Sequence, residues 1–139
     1  MAATHFSGPL VIGGLAFTGG AAVLSTASVT LTAEQSGSVF FSGTDNLVWT
    51  LPSAAAGLNY TFVNTGADGA AKLSISPAAA DAIHGTITLA ASVVELSGTD
   101  NKDLINTKAT ATTGNSVSLV SDGVDWYVIA STGIWASEA

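Results

Sequence analysis

The sequence predicts an all-β domain, a compact antiparallel β-sandwich or jelly-roll-like β-barrel with an extended N-terminal arm. Three observations predict it. Apolar residues alternate with Ser or Thr in Val29-Thr30-Leu31-Thr32, Leu73-Ser74-Ile75-Ser76 and Val117-Ser118-Leu119, the period of a strand with one buried face. Clusters of Gly, Asp, Asn, Ser and Thr recur between such segments, at 42–46, 65–69, 97–101 and 121–123, and these residues supply the backbone conformations that tight turns require. No stretch carries a sustained helical period, and short strands separated by turns at this density belong to sandwiches and barrels.

The most apolar run, Pro9 to Leu24, is interrupted by Gly13-Gly14, Thr18 and Gly19-Gly20. A membrane span needs about 20 predominantly apolar residues, and a secretory leader needs a positive start that Met1 to Phe6 lacks. The run therefore reads as an arm, or as a strand pair broken at its glycine pairs. Strands are expected next at 29–32, 38–41, 47–51, 58–63, 73–76, 86–96, 117–119 and 126–130. Ser53 to Gly57 follows Pro52, and Ala78 to Asp81 follows Pro77; each has room for one helical turn, too short to direct the fold. Asp122-Gly123 reads as a hairpin turn that sets Val117 and Leu119 against Trp126 and Val128. Residues 1–35 are assigned to the arm and first strand, and residues 36–139 to the β domain.

Val39 to Asn46 and Val94 to Asn101 share six of eight residues. Two copies are fewer than the three a solenoid needs, so the pair reads as two equivalent strand-to-turn corners whose Ser, Asp and Asn side chains bond the local backbone.

Composition narrows the function. Charged residues are 9% of the 139, Arg is absent, and ten acids against three Lys leave a net charge of −7. Too few cations remain to displace the counterions of a phosphate backbone or to build a basic membrane-surface helix, so neither nucleic acid nor membrane is an expected partner. Without Cys there is no disulfide framework, thiolate metal site or Cys nucleophile. Hydrophobic residues make up 47%; with so little charge, that composition points to a β-rich chain that hides surface in an oligomer.

No catalytic, cofactor or metal site is assigned, and no enzyme is expected. The bases available to activate a Ser are His5, in the arm, and His84, read as a partly exposed turn residue; the G-x-S-x-G elbow, phosphate loop and dinucleotide glycine patterns are missing. Asp100, Asn101 and Asp103 crowd one loop and Asp122 and Asp125 another, without calcium-loop spacing. The aromatics admit two readings. On alternating strands Phe40, Phe41, Trp49, Trp126 and Trp135 pack the core or a neighbouring subunit, with adjacent Phe40 and Phe41 facing opposite ways. Alternatively, Trp49, Tyr60 or Trp135 stacks on a glycan.

From Leu51 to Trp135 the order of residues resembles a family of virion proteins of tailed phages. The residues that carry it are Leu51-Pro52, Gly57, Tyr60-Thr61-Phe62-Val63, Asp81-Ala82-Ile83-His84-Gly85, Ser116 to Gly123 and Trp126-Tyr127-Val128. The resemblance implies a structural protein of the phage head: a capsid decoration (cement) protein that trimerises on the outer capsid surface and stabilises the expanded shell. It is made in the host cytoplasm and carried on the virion, with the major capsid protein as partner. On that reading Phe6, Leu10, Ile12 and Phe17 are the apolar contacts of a capsid-anchoring arm. The alternative is a head-fibre or tail-associated adsorption protein that binds host surface glycan.

Overall fold

The computed structural model describes residues 10–12, 15–17, 20–89 and 92–139. Its strands are β1 (Leu10–Ile12), β2 (Leu15–Phe17), β3 (Ala22–Leu24), β4 (Val29–Thr30), β5 (Val39–Ser42), β6 (Leu47–Thr50), β7 (Asn59–Asn64), β8 (Leu73–Ser76), β9 (Ile83–Leu89), β10 (Ser92–Ser97), β11 (Leu104–Asn106), β12 (Ser116–Ser121), β13 (Trp126–Thr132) and β14 (Ala136–Ser137). A seven-stranded sheet, β10-β9-β13-β12-β7-β5-β3, faces a five-stranded sheet, β14-β11-β8-β6-β4. One hydrophobic core lies between them. The all-β sandwich expected from the alternation is therefore present, and it is sandwich-like rather than a closed barrel.

Its sheets are mixed, where the sequence led us to expect antiparallel pairing. From β3 to β8 the chain changes sheet at every strand, so each strand lies beside, and parallel to, the strand two before it. Parallel neighbours need a crossover connection; here a strand of the facing sheet serves as the crossover. The outcome is three coil turns, β3-β4, β5-β6 and β7-β8, so the solenoid excluded on sequence grounds forms half of the molecule. It escaped notice because its corners differ in length. Ala22, Val39 and Thr61 align in one sheet, and Val29, Trp49 and Ile75 in the other, so no fixed period runs through the sequence. After the third turn the pairing turns antiparallel, β7 with β12 and β8 with β11, except that β13 runs parallel to β9.

Aligned inward side chains stack from turn to turn. Val23, Phe40 and Phe62 occupy one ladder position. The Phe62 ring lies 5.7 Å from Phe40 and 5.0 Å from Trp49 on the facing sheet, and Tyr60 carries the cluster to Trp126 of the antiparallel half at 5.7 Å. Buried amides tie the sheets together where apolar packing ends. Asn64 of β7 donates to Asn106 Oδ1 of β11 at 2.7 Å, and Asn106 donates to Asn115 Oδ1 at 3.1 Å and to the Ile134 carbonyl at 3.0 Å. Such a chain of satisfied amides offsets the penalty of burying them.

Other expectations change. Residues 53–57 and 78–81 form turns; the short helices among the described residues are single 3-10 turns at 33–35 and 108–110. The expected strand 86–96 is a hairpin of β9 and β10. In the β12–β13 hairpin Leu119 lies opposite Val128, but Trp126 lies opposite Ser121 and Val117 opposite Ser131, because residues 122–125 all lie in the connecting loop and a bulge after Ser118 shifts the register further. The boundary between 35 and 36 falls inside the coil, since β3 and β4 already belong to the two sheets. Ahead of them β1 and β2 pair antiparallel, Leu10 opposite Phe17, the strand-pair form of the N-terminal segment.

Candidate interaction surface

In a strand, successive side chains alternate between faces. With Phe40 and Phe62 turned into the core, Phe41 and Val63 must face out. Registered across β3, β5, β7 and β12 are two outward rows, Ala22-Val39-Thr61-Ser118 and Leu24-Phe41-Val63-Ser116. Neither row holds a charge. Their hydroxyls are turned on each other or on a neighbour: Thr61 and Ser118 share a hydrogen bond of 2.8 Å, and Ser116 and Thr132 one of 3.0 Å. The face therefore asks little of water, and no strand of the described residues contributes a charged residue except β10, through Glu95.

The second feature is the open end of the coil. Here β3 and β4 are the last strands of their sheets, and a cavity of about 330 Å³ opens between them, lined by Val23, Ser25, Thr26, Val29, Gln35 and Phe40 among others. Ser25 of this lining accepts from the Trp49 indole N–H at 2.9 Å. Leu24 is 70% and Val29 42% exposed.

The third is a polar cluster on the antiparallel half. His84, expected as a turn residue, sits in β9 with Nε2 3.1 Å from Asp125 Oδ2. Its ring stacks on Tyr127 at 5.1 Å and packs on Gly98, where an added Cβ would stand 2.1 Å from His84 Cε1. Asp125 Oδ1 also accepts from the Ala82 amide at 2.8 Å. The Asp125 and Val124 amides hold Asp122 below the usual carboxylate range, while burial, then the Asp122 charge, raises Tyr127. These carboxylates cap a hairpin and orient a ring. Among the described residues, no group of three His, Asp or Glu side chains is placed to hold a metal ion, and no helix is long and apolar enough to cross a membrane.

The sequence-selected residues fall as follows. Phe40, Trp49, Trp126 and Trp135 are core, each at most 1% exposed, and Phe41 is the one of the five that faces outward. A glycan cannot stack on Trp49, Tyr60 or Trp135 in the folded protein, because all three are buried to the same degree; among the described residues Tyr127 is exposed, at 37%, and the outward-facing Phe41 is half-buried. Leu10, Ile12 and Phe17 lie in β1 and β2, and Phe6 lies outside the described residues. Sequence reasoning missed the coil end, although a signal was present: residues 20–33 hold no charged residue and no Pro. No protein-family model matches the chain, and no curated protein matches it either.

Proposed function

We propose that the protein is a structural protein of a tailed-phage particle, a decoration protein that binds the outside of the head as a homotrimer and has no enzymatic role. The observation that carries the reading is the uncharged outer face of the large sheet. On a chain with a net charge of −7, a face of Phe41, Val63, Val39 and mutually bonded hydroxyls is the place where copies meet without bringing carboxylates together. The segment that resembles phage virion proteins supports the setting, and the apolar β1–β2 hairpin, with Phe6 before it, supplies the anchor to the major capsid protein.

Such a trimer acts by linkage. Contacts that exist only on the expanded shell stabilise that state in proportion to the logarithm of the free protein concentration over its dissociation constant, once that ratio is large. The test is the copy number in purified particles, by quantitative mass spectrometry against the major capsid protein. Stoichiometry comparable with the major capsid protein supports decoration; a few copies per particle moves the protein to a fibre or tail position; absence discards the virion reading. Deleting residues 2–20 should leave a folded oligomer that no longer binds capsids, whereas Phe41→Glu should dissociate the trimer and leave the fold intact by circular dichroism.

A further inference from the structure

We propose that the open end of the coil is a two-fold contact between copies of this chain, in which β3 of one copy pairs antiparallel with β3 of another. The inference stands apart from the trimer, which uses the sheet face rather than its edge. In the β3–β5 ladder the Val39 N–H donates to the Ala21 carbonyl at 2.9 Å and the Ser25 N–H to the Phe41 carbonyl at 2.8 Å. Alternation then turns Ala21, Val23 and Ser25 toward β5, and the N–H and C=O groups of Ala22 and Leu24 away from it. Because β3 ends its sheet, no strand among the described residues takes those four groups.

Proteins guard such edges with charge, Pro or bulges. The far edges of this molecule are guarded. β10 carries Glu95, exposed, and β14 runs into Glu138, whose amide donates to the Asp103 carbonyl beside the Asp103 carboxylate. The coil end carries neither charge nor Pro from 20 to 33. A second copy is the occupant that this difference favours: at the guarded edges two copies of so acidic a chain would set carboxylates against carboxylates, and along residues 20–33 they set none. Among the described residues the copy's own hairpin does not pair with β3. β2 pairs with β1 and lies against the 3-10 turn at 33–35, and the chain leaves the coil at Gly20, whose φ is +71° and whose added Cβ would stand 3.2 Å from the Gly37 carbonyl.

A two-fold axis through Val23 uses every free group. Ala22 of each copy exchanges hydrogen bonds with Leu24 of the other, and the two Val23 residues meet as a non-hydrogen-bonded pair, with Cα atoms about 4.5 Å apart. The contact is self-complementary and closes the cavity over Val29.

Because the chain has no cysteine, Val23→Cys is a single probe at the axis, and a Cα separation of about 4.5 Å lies within disulfide range. We expect air oxidation to give covalent dimers on a denaturing gel and nothing larger, with exposed Ser137→Cys giving none. Ala22→Pro removes an amide that faces away from β5 and is tolerated at an edge; it should halve the particle mass in analytical ultracentrifugation with an unchanged circular dichroism spectrum, whether or not a three-fold assembly forms through Phe41. Failure of Val23→Cys to crosslink in the folded protein overturns the proposal, as does an Ala22→Pro particle of unchanged mass. Protection of the Leu24 amide from hydrogen exchange in a particle that Val23→Cys cannot crosslink would also overturn it, by showing the edge covered by the chain's own residues or a foreign strand. Should Ala22→Pro fail to fold, the crosslink decides alone.

Discussion

The two copies of Ser-Gly-Thr-Asp-Asn do the same work in different surroundings. Residues 42–46 carry the chain from β5 in the large sheet to β6 in the small one, and residues 97–101 carry it from β10 toward β11 across the same gap. Each ends on an Asn in the left-handed region, Asn46 at φ 60° and Asn101 at φ 56°, the non-glycine residues there among those described. The neighbours differ. The first corner is clasped by the coil: Gly43 lies against the Gly66 backbone of the next turn, Ser42 Oγ accepts from the Thr44 amide at 3.1 Å, and Asp45 accepts from the Lys72 amide at 2.9 Å and from the Lys108 ammonium. The Lys108 pair, then the Lys72 amide, hold Asp45 below the usual carboxylate range. The second corner packs on the His84 ring at Gly98, and its Asn101 amide donates to the Asp81 carbonyl at 3.0 Å. A local sequence therefore fixes the bend, while the surrounding topology decides how firmly it is held.

The glycines should break this comparison most sharply. A Cβ at Gly43 would stand 3.0 Å from the Gly66 amide nitrogen, backbone against backbone, so Gly43→Ala has to push two coil turns apart; overpacking of that kind costs about 1–3 kcal/mol, and we expect the upper end. Gly98→Ala meets the His84 ring, a half-buried side chain that can yield toward solvent by giving up its Asp125 bond and its stack on Tyr127, and adds left-handed strain of about 1–2 kcal/mol. Denaturant midpoints measure both. An equal loss at the two sites would show that the coil does not clasp its corner more firmly than the hairpin half does.

The buried tryptophans sharpen the contrast between halves. Trp49 in the coil donates to Ser25, whereas the Trp126 indole N–H in the antiparallel half has no hydrogen-bond partner among the described residues. Both substitutions to Phe remove similar volume, but only Trp49→Phe strands a hydroxyl. Trp49→Phe should therefore be the more destabilising by about 1 kcal/mol, and the reverse order by calorimetry would mean that Trp126 is satisfied in solution.

How much of this was legible follows from what each signal depends on. Alternation at 117–119 revealed a strand because burial of one face acts residue by residue, and Phe40-Phe41 revealed its opposite-facing pair for the same reason. At 73–76 the strand forms but three successive residues are buried, and at 29–32 it covers only Val29–Thr30, both exposed. The parallel coil was not legible, because stacking Val23 on Phe40 on Phe62 needs matching shape rather than matching sequence, and corners of unequal length erase the period. The setting of His84 was not legible because its neighbours, Asp125 and Tyr127 on one side and Gly98 on the other, arrive from two other segments. β11 and β14 are two or three residues long, and they pair only because β8 is already in place.

Tyr60 joins the halves, stacking toward Trp126 while its hydroxyl donates to the Thr32 carbonyl at 2.7 Å. Burial, then the nearby Glu34 charge, pushes its phenol up to about 12. A phenol whose folded value exceeds the ordinary value near 10 stabilises the fold below pH about 10, and that contribution is lost as pH rises toward about 12. Phenolate absorbance should show a late titration that coincides with loss of near-ultraviolet dichroism, and Tyr60→Phe should remove it. An ordinary Tyr60 titration with the fold intact would put water at the junction.

The smallest effect tests the corners themselves. Asn tolerates the left-handed region better than other residues with a Cβ, because its short amide can bond locally. Asn46→Ala and Asn101→Ala should each lower stability by about 0.5–1 kcal/mol, and Gly at either position should restore it. Being far apart in sequence and held by different neighbours, the two losses should add in the double variant. If Asn46→Ala alone proves silent, the Asp45 contacts to Lys72 and Lys108 fix that bend without help from the residue beside them, and the shared pentapeptide matters only where the coil offers no clasp.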